Sequence, residues 1–277
     1  MSELLTVRIN EAILFIYMIS IACYFIDFID KNNRIRKIGF IILVAVFVSQ
    51  TLMIAQFYFT IGRFPVQTIT EGFYFFTWLI IIASIVMAQT TRMEFLAFIM
   101  NLIGFIFMAI HTFQPVDYQS HTTVSHMMNE LLMVHVTLAI TAYVTFLIAA
   151  IQAVLYLYQM RNLKQKKFSQ KFFRLSDLAS LSRSVNLFSM VGFGLLLISL
   201  VLGIQWGLIL IGPSIWLDSK VVGSTLVLLI YASYIYLSTQ QKQKMNIMME
   251  INIIFFLICM VNYLVISRYS DFHQLIN

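Results

Sequence analysis

The sequence predicts an all-α polytopic membrane protein, a helix bundle of about eight transmembrane helices with both termini outside. Hydrophobic residues make up 60% of the 277 residues and charged residues only 11%, whereas a typical soluble domain is about 25% charged. A soluble protein of this composition would expose large apolar patches to water. The apolar stretches are also continuous, without the alternation of membrane β-barrel strands. These observations together predict helices that cross a bilayer.

Eight apolar stretches are long enough to span a hydrocarbon core of about 30 Å as helices. They cover residues 11–29, 38–60, 71–89, 95–111, 130–159, 185–208, 221–238 and 249–267. The fifth is long enough to tilt or to project beyond the bilayer. No segment between them is large enough to fold as a soluble domain. Residues 1–277 are therefore predicted to form a single integral membrane domain.

Lysine and arginine are distributed unevenly between the two predicted sides of the membrane. Of the 18, all but four lie in one set of connecting segments, and the four are Arg8, Arg63, Lys220 and Arg268. The positive-inside rule places the larger set in the cytoplasm and both termini outside. The net charge of +6 then reflects membrane topology, and a nucleic acid is not predicted as a partner.

The basic segment 161–184 is the largest predicted cytoplasmic part of the chain. Phe168, Phe172 and Phe173 are interleaved there with lysine and arginine. This pattern is typical of a short amphipathic helix lying on anionic lipid. A docking site for a soluble protein is the alternative interpretation.

The five histidines all fall on the predicted outer side, and imidazole is a common ligand for metals and haem iron. They are His111, His121, His126, His135 and His273. A spacing of five between His121 and His126 on a loop is not a metal-binding pattern. His135 is the stronger candidate because it lies in the apolar run 131–136, where an ionisable residue indicates function.

Other polar and reactive residues have simpler interpretations. Glu71, at the start of the third span, is placed to neutralise a cation or to pair with Arg63, and helix–helix hydrogen bonds account for most of the remaining intramembrane polar residues. Cys23 and Cys259 lie in apolar stretches without a CxxC pattern, so neither a disulfide framework nor a thiolate metal site is indicated. The sequence contains no P-loop, GxSxG or HExxH pattern, and an enzyme is not predicted.

Several segments resemble the cytochrome c assembly superfamily of membrane proteins. Residues 134–161, VHVTLAITAYVTFLIAAIQAVLYLYQMR, have the family's opening His-Val pair, its Ala-Tyr and its basic end. The following LSDLASL linker with a glycine-containing span, and the segment DSKVVG at 218–223, are similar to the family's next elements. FPV at 64–66 and TEGFYFFTW at 70–78 are similar to its earlier outer motif.

The resemblance implies haem as a cofactor on the outer side. In haem-handling members a segment Trp-Gly-x-x-Trp-x-Trp-Asp presents haem, and external histidines ligate its iron. His135 falls on the first of those histidines, while a later one aligns with Tyr269, four residues before His273. In the tryptophan-rich segment Gly212 and Asp218 match, the three tryptophan places hold Ile211, Ile215 and Leu217, and Trp216 is the tryptophan present. The ligands implied are His135 with His273 or Tyr269, beside Trp216 and Asp218.

The reduced tryptophan motif, the eight spans and the length resemble the HemX branch of this superfamily, small membrane proteins associated with haem biosynthesis. This resemblance implies a negative effector of the level of glutamyl-tRNA reductase. Its partners would be the lipid bilayer and that enzyme, or a protease acting on it. A haem-delivery subunit of cytochrome c assembly is the alternative. A permease for a tetrapyrrole or another small molecule ranks third, because the internal repeats and broken helices of transporters are not evident.

Overall fold

A computed structural model describes residues 3–30, 32–66, 68–90, 94–114, 126–166, 177–240 and 244–265. These ranges hold eight helices long and apolar enough to cross a membrane. They are α1 (Glu3–Asp30), α2 (Asn33–Ile61), α3 (Ile69–Thr90), α4 (Glu94–Phe113), α5 (His126–Lys164), α6 (Leu178–Ile211), α7 (Ser219–Gln240) and α8 (Met245–Leu264). The all-α fold and the multi-pass membrane location are confirmed, whereas the outer placement of the termini stays a prediction.

The helix ends follow local sequence signals. The side chain of Asn32 caps α2 by accepting the Arg34 backbone N–H at 3.0 Å, and Asp177 caps α6 by accepting that of Ser180 at 3.0 Å. Such caps satisfy backbone donors that have no partner within the helix. A short 3-10 segment, Gly212–Leu217, follows α6 and leads into α7. Gly212 has a φ of +67°, which glycine adopts without steric cost.

The chain divides into two units, Met1–Tyr118 and Gln119–Asn277. In the first unit α1 packs against α2 and α4, and α3 packs against α4. Tyr17, Leu43, Val46 and Met108 are buried in its core. The single domain predicted over residues 1–277 stays a prediction.

Several polar side chains in the first unit are paired, as the sequence predicts. The Tyr17 hydroxyl donates to Asn101 Oδ1 at 2.9 Å, and Asn101 Nδ2 donates to Ser84 Oγ at 2.6 Å. Arg63 donates to both carboxylate oxygens of Glu71, at 2.8 and 2.9 Å. The predicted Arg63–Glu71 pair is therefore confirmed, in the bidentate geometry that makes such bonds strong.

Helix α5 is the central element of the second unit. It packs against α6 and α8. In an apolar stretch of 18 residues of α5, 78% is buried inside the protein, compared with 28% in such a stretch of α8. Small residues allow this burial, because they let neighbouring helices approach closely. At Gly192 of α6 an added Cβ would lie 2.5 Å from Cε1 of Phe146 and 2.6 Å from Oγ1 of Thr145. The Phe146 ring is itself stacked on Tyr231 at 3.8 Å.

We expect Gly192→Ala to destabilise this unit. The Phe146 ring lies between Gly192 and Tyr231, so it cannot move aside without disturbing the buried stack. Overpacking of this kind costs about 1–3 kcal/mol of the free energy of unfolding. The melting temperature in detergent micelles should fall. Gly194→Ala, on the same helix with nothing within 4 Å of the added Cβ, is the matched control and should melt no lower than the wild type.

The basic segment 161–184 is helical at both ends. Helix α5 continues to Lys164 and α6 begins at Leu178. Phe168, Phe172 and Phe173, on which the predicted amphipathic helix depends, lie outside the described residues. Its interpretation as a lipid-binding or partner-binding segment stays a prediction.

Candidate functional site

Three hydrogen-bond contacts with Ser199 hold His135 against α6, two at the imidazole and one at the backbone. Its Nδ1 lies 2.6 Å from the backbone oxygen of Ser199 and 3.0 Å from Ser199 Oγ. The same hydroxyl donates to the backbone oxygen of His135 at 2.8 Å. One residue of α6 thus binds both the ring and the backbone of His135, and it fixes the ring orientation.

The hydrogen-bond partners of His135 define its tautomer. A carbonyl oxygen only accepts hydrogen bonds, so the short contact with Ser199 requires the proton on Nδ1. The lone pair of the neutral ring is then on Nε2. Ligating histidines in metalloproteins typically donate the other ring N–H to a backbone carbonyl or a carboxylate in this way. His135 therefore has the geometry of a preoriented nitrogen ligand.

Gly203 provides the space for this ring. It lies one helical turn after Ser199, on the same face of α6. A Cβ at this position would lie 2.5 Å from Cε1 of His135 and 2.8 Å from Nδ1. The ring therefore packs directly on the α6 backbone, and no other residue type fits there without moving it.

The segments that carry His135, Trp216 and Asp218 meet in one apolar cluster. Its buried members are Leu132, Trp206, Ile215 and Val221. Leu132 lies one turn before His135, and Trp206 lies one turn after Gly203. Ile215 is next to Trp216, and Val221 follows Asp218 by three residues. The structure therefore brings three of the five predicted site residues to the same end of the second unit.

A donor set of this kind suits haem better than a bare metal ion. Among the described residues there is no group of three or more His, Cys, Asp and Glu side chains that could hold a metal. Haem iron has four porphyrin ligands already and takes one or two axial ligands from the protein. A single oriented imidazole in an apolar surrounding meets that need.

Comparison with known proteins shows the family of this chain. The family model described as "Cytochrome C assembly protein" matches residues 66–273, which include His135 and the segment 211–218. The chain belongs to the cytochrome c assembly protein family. The resemblance that the sequence motifs indicate is thereby confirmed.

Within this family the chain is similar to two proteins named HemX. It is 36% identical to Protein HemX of Bacillus subtilis (strain 168) over 266 residues, which cover 96% of each chain. It is 33% identical to Protein HemX of Brevibacillus brevis over 266 residues, 96% of this chain and 97% of the relative. Cytochrome c biogenesis protein CcsA of Guillardia theta is 25% identical over 238 residues, 79% of each chain.

The segment that aligns with the family's tryptophan-rich motif is divided between core and surface in this chain. Ile215, in one tryptophan place, is fully buried and packs onto Gly207 of α6. Leu217, in another, is 88% exposed. Trp216 is 57% exposed, as is common for tryptophan at a membrane interface. The 3-10 segment therefore presents one indole where the family motif has three.

Asp218 has a structural role that the sequence motif does not reveal. Its Oδ1 accepts the backbone N–H groups of Lys220 at 2.8 Å and Val221 at 3.4 Å. The residue therefore caps the first turn of α7, a position where aspartate is strongly preferred. The role of Asp218 at a haem site stays a prediction.

The remaining predicted ligands are not tested by the structure. Tyr269 and His273 lie outside the described residues, and so does His121. His111, which the sequence places at the outer end of the fourth span, resembles His135 in one respect. Its Nδ1 lies 2.9 Å from the backbone oxygen of Thr70, and its ring packs 4.8 Å from that of Tyr74. His111 is therefore a second oriented imidazole, in the first unit.

Ser199 and Gly203 complete the site, although no sequence motif indicates them. A serine and a glycine four residues apart in an apolar helix are usually interpreted as helix-packing residues. The only sequence signal is that both lie on one face of α6, in the span after His135. Their partner on α5 is 64 residues away from Ser199, so the pairing depends on the packing of α5 against α6.

Proposed function

We propose that this chain is a membrane regulator of haem biosynthesis, which binds haem on the outer side through His135 and lowers the abundance of glutamyl-tRNA reductase. It acts as a binding protein and not as an enzyme. The observation that carries the proposal is the 36% identity to HemX over 96% of both chains. The regulatory role is the one that the HemX resemblance implies.

The geometry at His135 supports haem as the ligand. When bound, haem would supply an iron centre that accepts ligands from the protein and an intense absorption in the visible range. Nε2 of His135 would ligate the iron, while Ser199 holds Nδ1 and the ring plane. The exposed indole of Trp216 lies in the segment where the family presents haem. A second ligand to the iron would come from His273 or Tyr269, after α8 in the sequence.

Helix α5 connects this site to the predicted cytoplasmic side without interruption. It continues from His135 to Lys164, and these 30 residues of helix cover about 45 Å. Control of a soluble enzyme by an outer ligand requires two states of the protein that bind haem with different affinity. We assign the difference between the two states to a small shift of α5 against α6, because Ser199 and Gly203 contact His135 directly.

The test is the amount of glutamyl-tRNA reductase in cells, measured by immunoblot. Deleting the gene for this chain should raise the enzyme level, and the wild-type gene should restore it. If haem binding at His135 is needed for control, the gene with His135→Ala should lower the enzyme level less than the wild-type gene does. An unchanged enzyme level after deletion would contradict the regulatory proposal, whatever the chain binds.

Haem delivery for cytochrome c assembly is the second candidate, and the similarity to CcsA over 79% of the chain favours it. The two functions differ in the deletion strain. Haem delivery predicts a loss of covalently bound haem in c-type cytochromes, seen by haem staining of a gel. Normal c-type cytochromes together with a raised reductase level would support the regulatory function. Loss of haem from c-type cytochromes with an unchanged reductase level would support haem delivery.

A further inference from the structure

The Nδ1–H group of His135 faces two oxygen atoms of one residue on α6. The backbone oxygen of Ser199 lies 2.6 Å from Nδ1, and the hydroxyl oxygen lies 3.0 Å from it. The hydroxyl hydrogen is used elsewhere, because it is donated to the backbone oxygen of His135 at 2.8 Å. Both oxygens of Ser199 therefore accept from the same N–H group, in a three-centre hydrogen bond.

This hydrogen bond is shorter than the one at the other oriented histidine. In His111, Nδ1 has one described acceptor, the backbone oxygen of Thr70, at 2.9 Å. Ser199 is 1% exposed, and a hydrogen bond that is shielded from water is electrostatically stronger. The ring of His135 also packs on the α6 backbone at Gly203, which keeps Nδ1 close to its acceptors.

A strong hydrogen bond at Nδ1 changes the electron density at Nε2 of the same ring. When the Nδ1–H group is drawn toward its acceptors, Nε2 becomes a stronger electron donor to a metal. Ferric iron has one more positive charge than ferrous iron, so it is stabilised more by such a donor. Hydrogen bonding around an axial ligand is one of the means by which a protein sets the reduction potential of haem iron.

We propose that Ser199 makes the site prefer ferric haem to ferrous haem. This inference rests on the proposed haem binding at His135, and it adds the oxidation state of the ligand. Ser199 is a positioning residue, because it acts on the iron only through His135. The two residues lie on different helices, so the preference is linked to the packing of α5 against α6. Ferric haem should therefore hold these helices together more tightly than ferrous haem does.

The first experiment measures the midpoint potential of haem bound to the purified protein in detergent, by a reductive titration followed in the visible spectrum. Ser199→Ala removes one of the two acceptors of Nδ1–H, so the potential should rise. Loss of one hydrogen bond should lower the ratio of ferric to ferrous affinity about three- to tenfold. A tenfold change corresponds to about 59 mV for one electron.

Ser189→Ala is the matched control. Ser189 is fully buried on the same helix, ten residues before Ser199, and its Oγ accepts from Asn252 at 2.8 Å. This variant loses a buried hydroxyl and a hydrogen bond between helices, but the lost bond does not involve His135. Its melting temperature should fall while its potential stays that of the wild type. A merely structural role of Ser199 would likewise change stability without changing the potential.

The second experiment uses the oxidation state alone and does not depend on the folding of Ser199→Ala. Haemin should raise the melting temperature of the wild-type protein more than the same concentration of haem reduced with dithionite. The more tightly bound ligand stabilises the folded protein more. A haem-free sample with dithionite gives the baseline. His135→Ala, which lacks the ligand, should show neither shift.

The outcomes separate this inference from the proposed function. Equal potentials in the wild type and Ser199→Ala would overturn the role of Ser199 and leave haem binding intact. An equal or larger shift of the melting temperature with ferrous haem would overturn the ferric preference. Absence of a protein-bound Soret band in the wild type would overturn haem binding and this inference with it. An unchanged reductase level in the deletion strain would overturn only the regulatory function.

Discussion

Replacing His135 with alanine is expected to abolish the protein-bound Soret band, the band shifted from that of free haemin in micelles, which the purified wild-type protein shows after haemin is added. Nε2 of His135 is the oriented ligand of the site, and Nδ1 is held by Ser199. Removing a residue that only hydrogen-bonds to a ligating side chain typically lowers the affinity for the metal about 10–100-fold. Loss of the ligand itself should cost more. The measurement is a visible absorption titration with haemin, beside a melting curve to show that the variant is folded.

His111→Ala is the matched control for this experiment. His111 is also an intramembrane histidine whose Nδ1 lies at hydrogen-bond distance from a backbone oxygen, that of Thr70. If His135 ligates the iron, His111→Ala should keep the Soret band in its wild-type position. A band that survives in His135→Ala and disappears in His111→Ala would show that the ligand was assigned to the wrong histidine.

Gly203→Ala should have nearly as large an effect without changing any hydrogen-bonding group. The added Cβ would lie 2.5 Å from Cε1 of His135, so the ring must leave its position and lose its bonds to Ser199. We expect haem affinity to fall about 10–100-fold. The melting temperature should also fall, because a buried hydrogen bond and close packing are lost.

Gly194→Ala makes the same substitution nine residues earlier on α6, where nothing lies within 4 Å of the added Cβ. Alanine is favoured over glycine in a helix interior by about 0.5–1 kcal/mol. This control should therefore bind haem as the wild type does and melt at the same or a higher temperature. Equal haem binding by Gly203→Ala and Gly194→Ala would contradict the packing of His135 on Gly203.

The sequence predicts the helices well because the bilayer imposes a length and an apolar composition on each span. It predicts the ends less well. The fifth span, predicted over 130–159, is observed as His126–Lys164, and the sixth, predicted over 185–208, as Leu178–Ile211. Both helices continue into polar sequence, where hydropathy no longer marks the boundary. Helix α6 instead begins after Asp177, whose side chain caps it, and ends before Gly212, which has a positive φ.

The predicted site is only partly a matter of sequence. His135 is distinctive in the sequence alone, because an ionisable residue in an apolar run is costly unless it has a role. Asp218 matches a family motif, yet its described contacts are those of a helix cap. Trp216 keeps an exposed indole, whereas Ile215 beside it is core. A motif gives residue types in order, but only the packing decides which of them point inward.

The amino-acid sequence by itself determined the membrane class, the eight spans and the family. It also singled out His135, because this histidine lies in an apolar run. These are local properties, set by the hydropathy of about 20 consecutive residues or by short motifs. The tertiary structure decided the tautomer of His135 and the need for glycine at 203. Both depend on contacts between residues more than 60 positions apart, which arise only when the helices pack against one another.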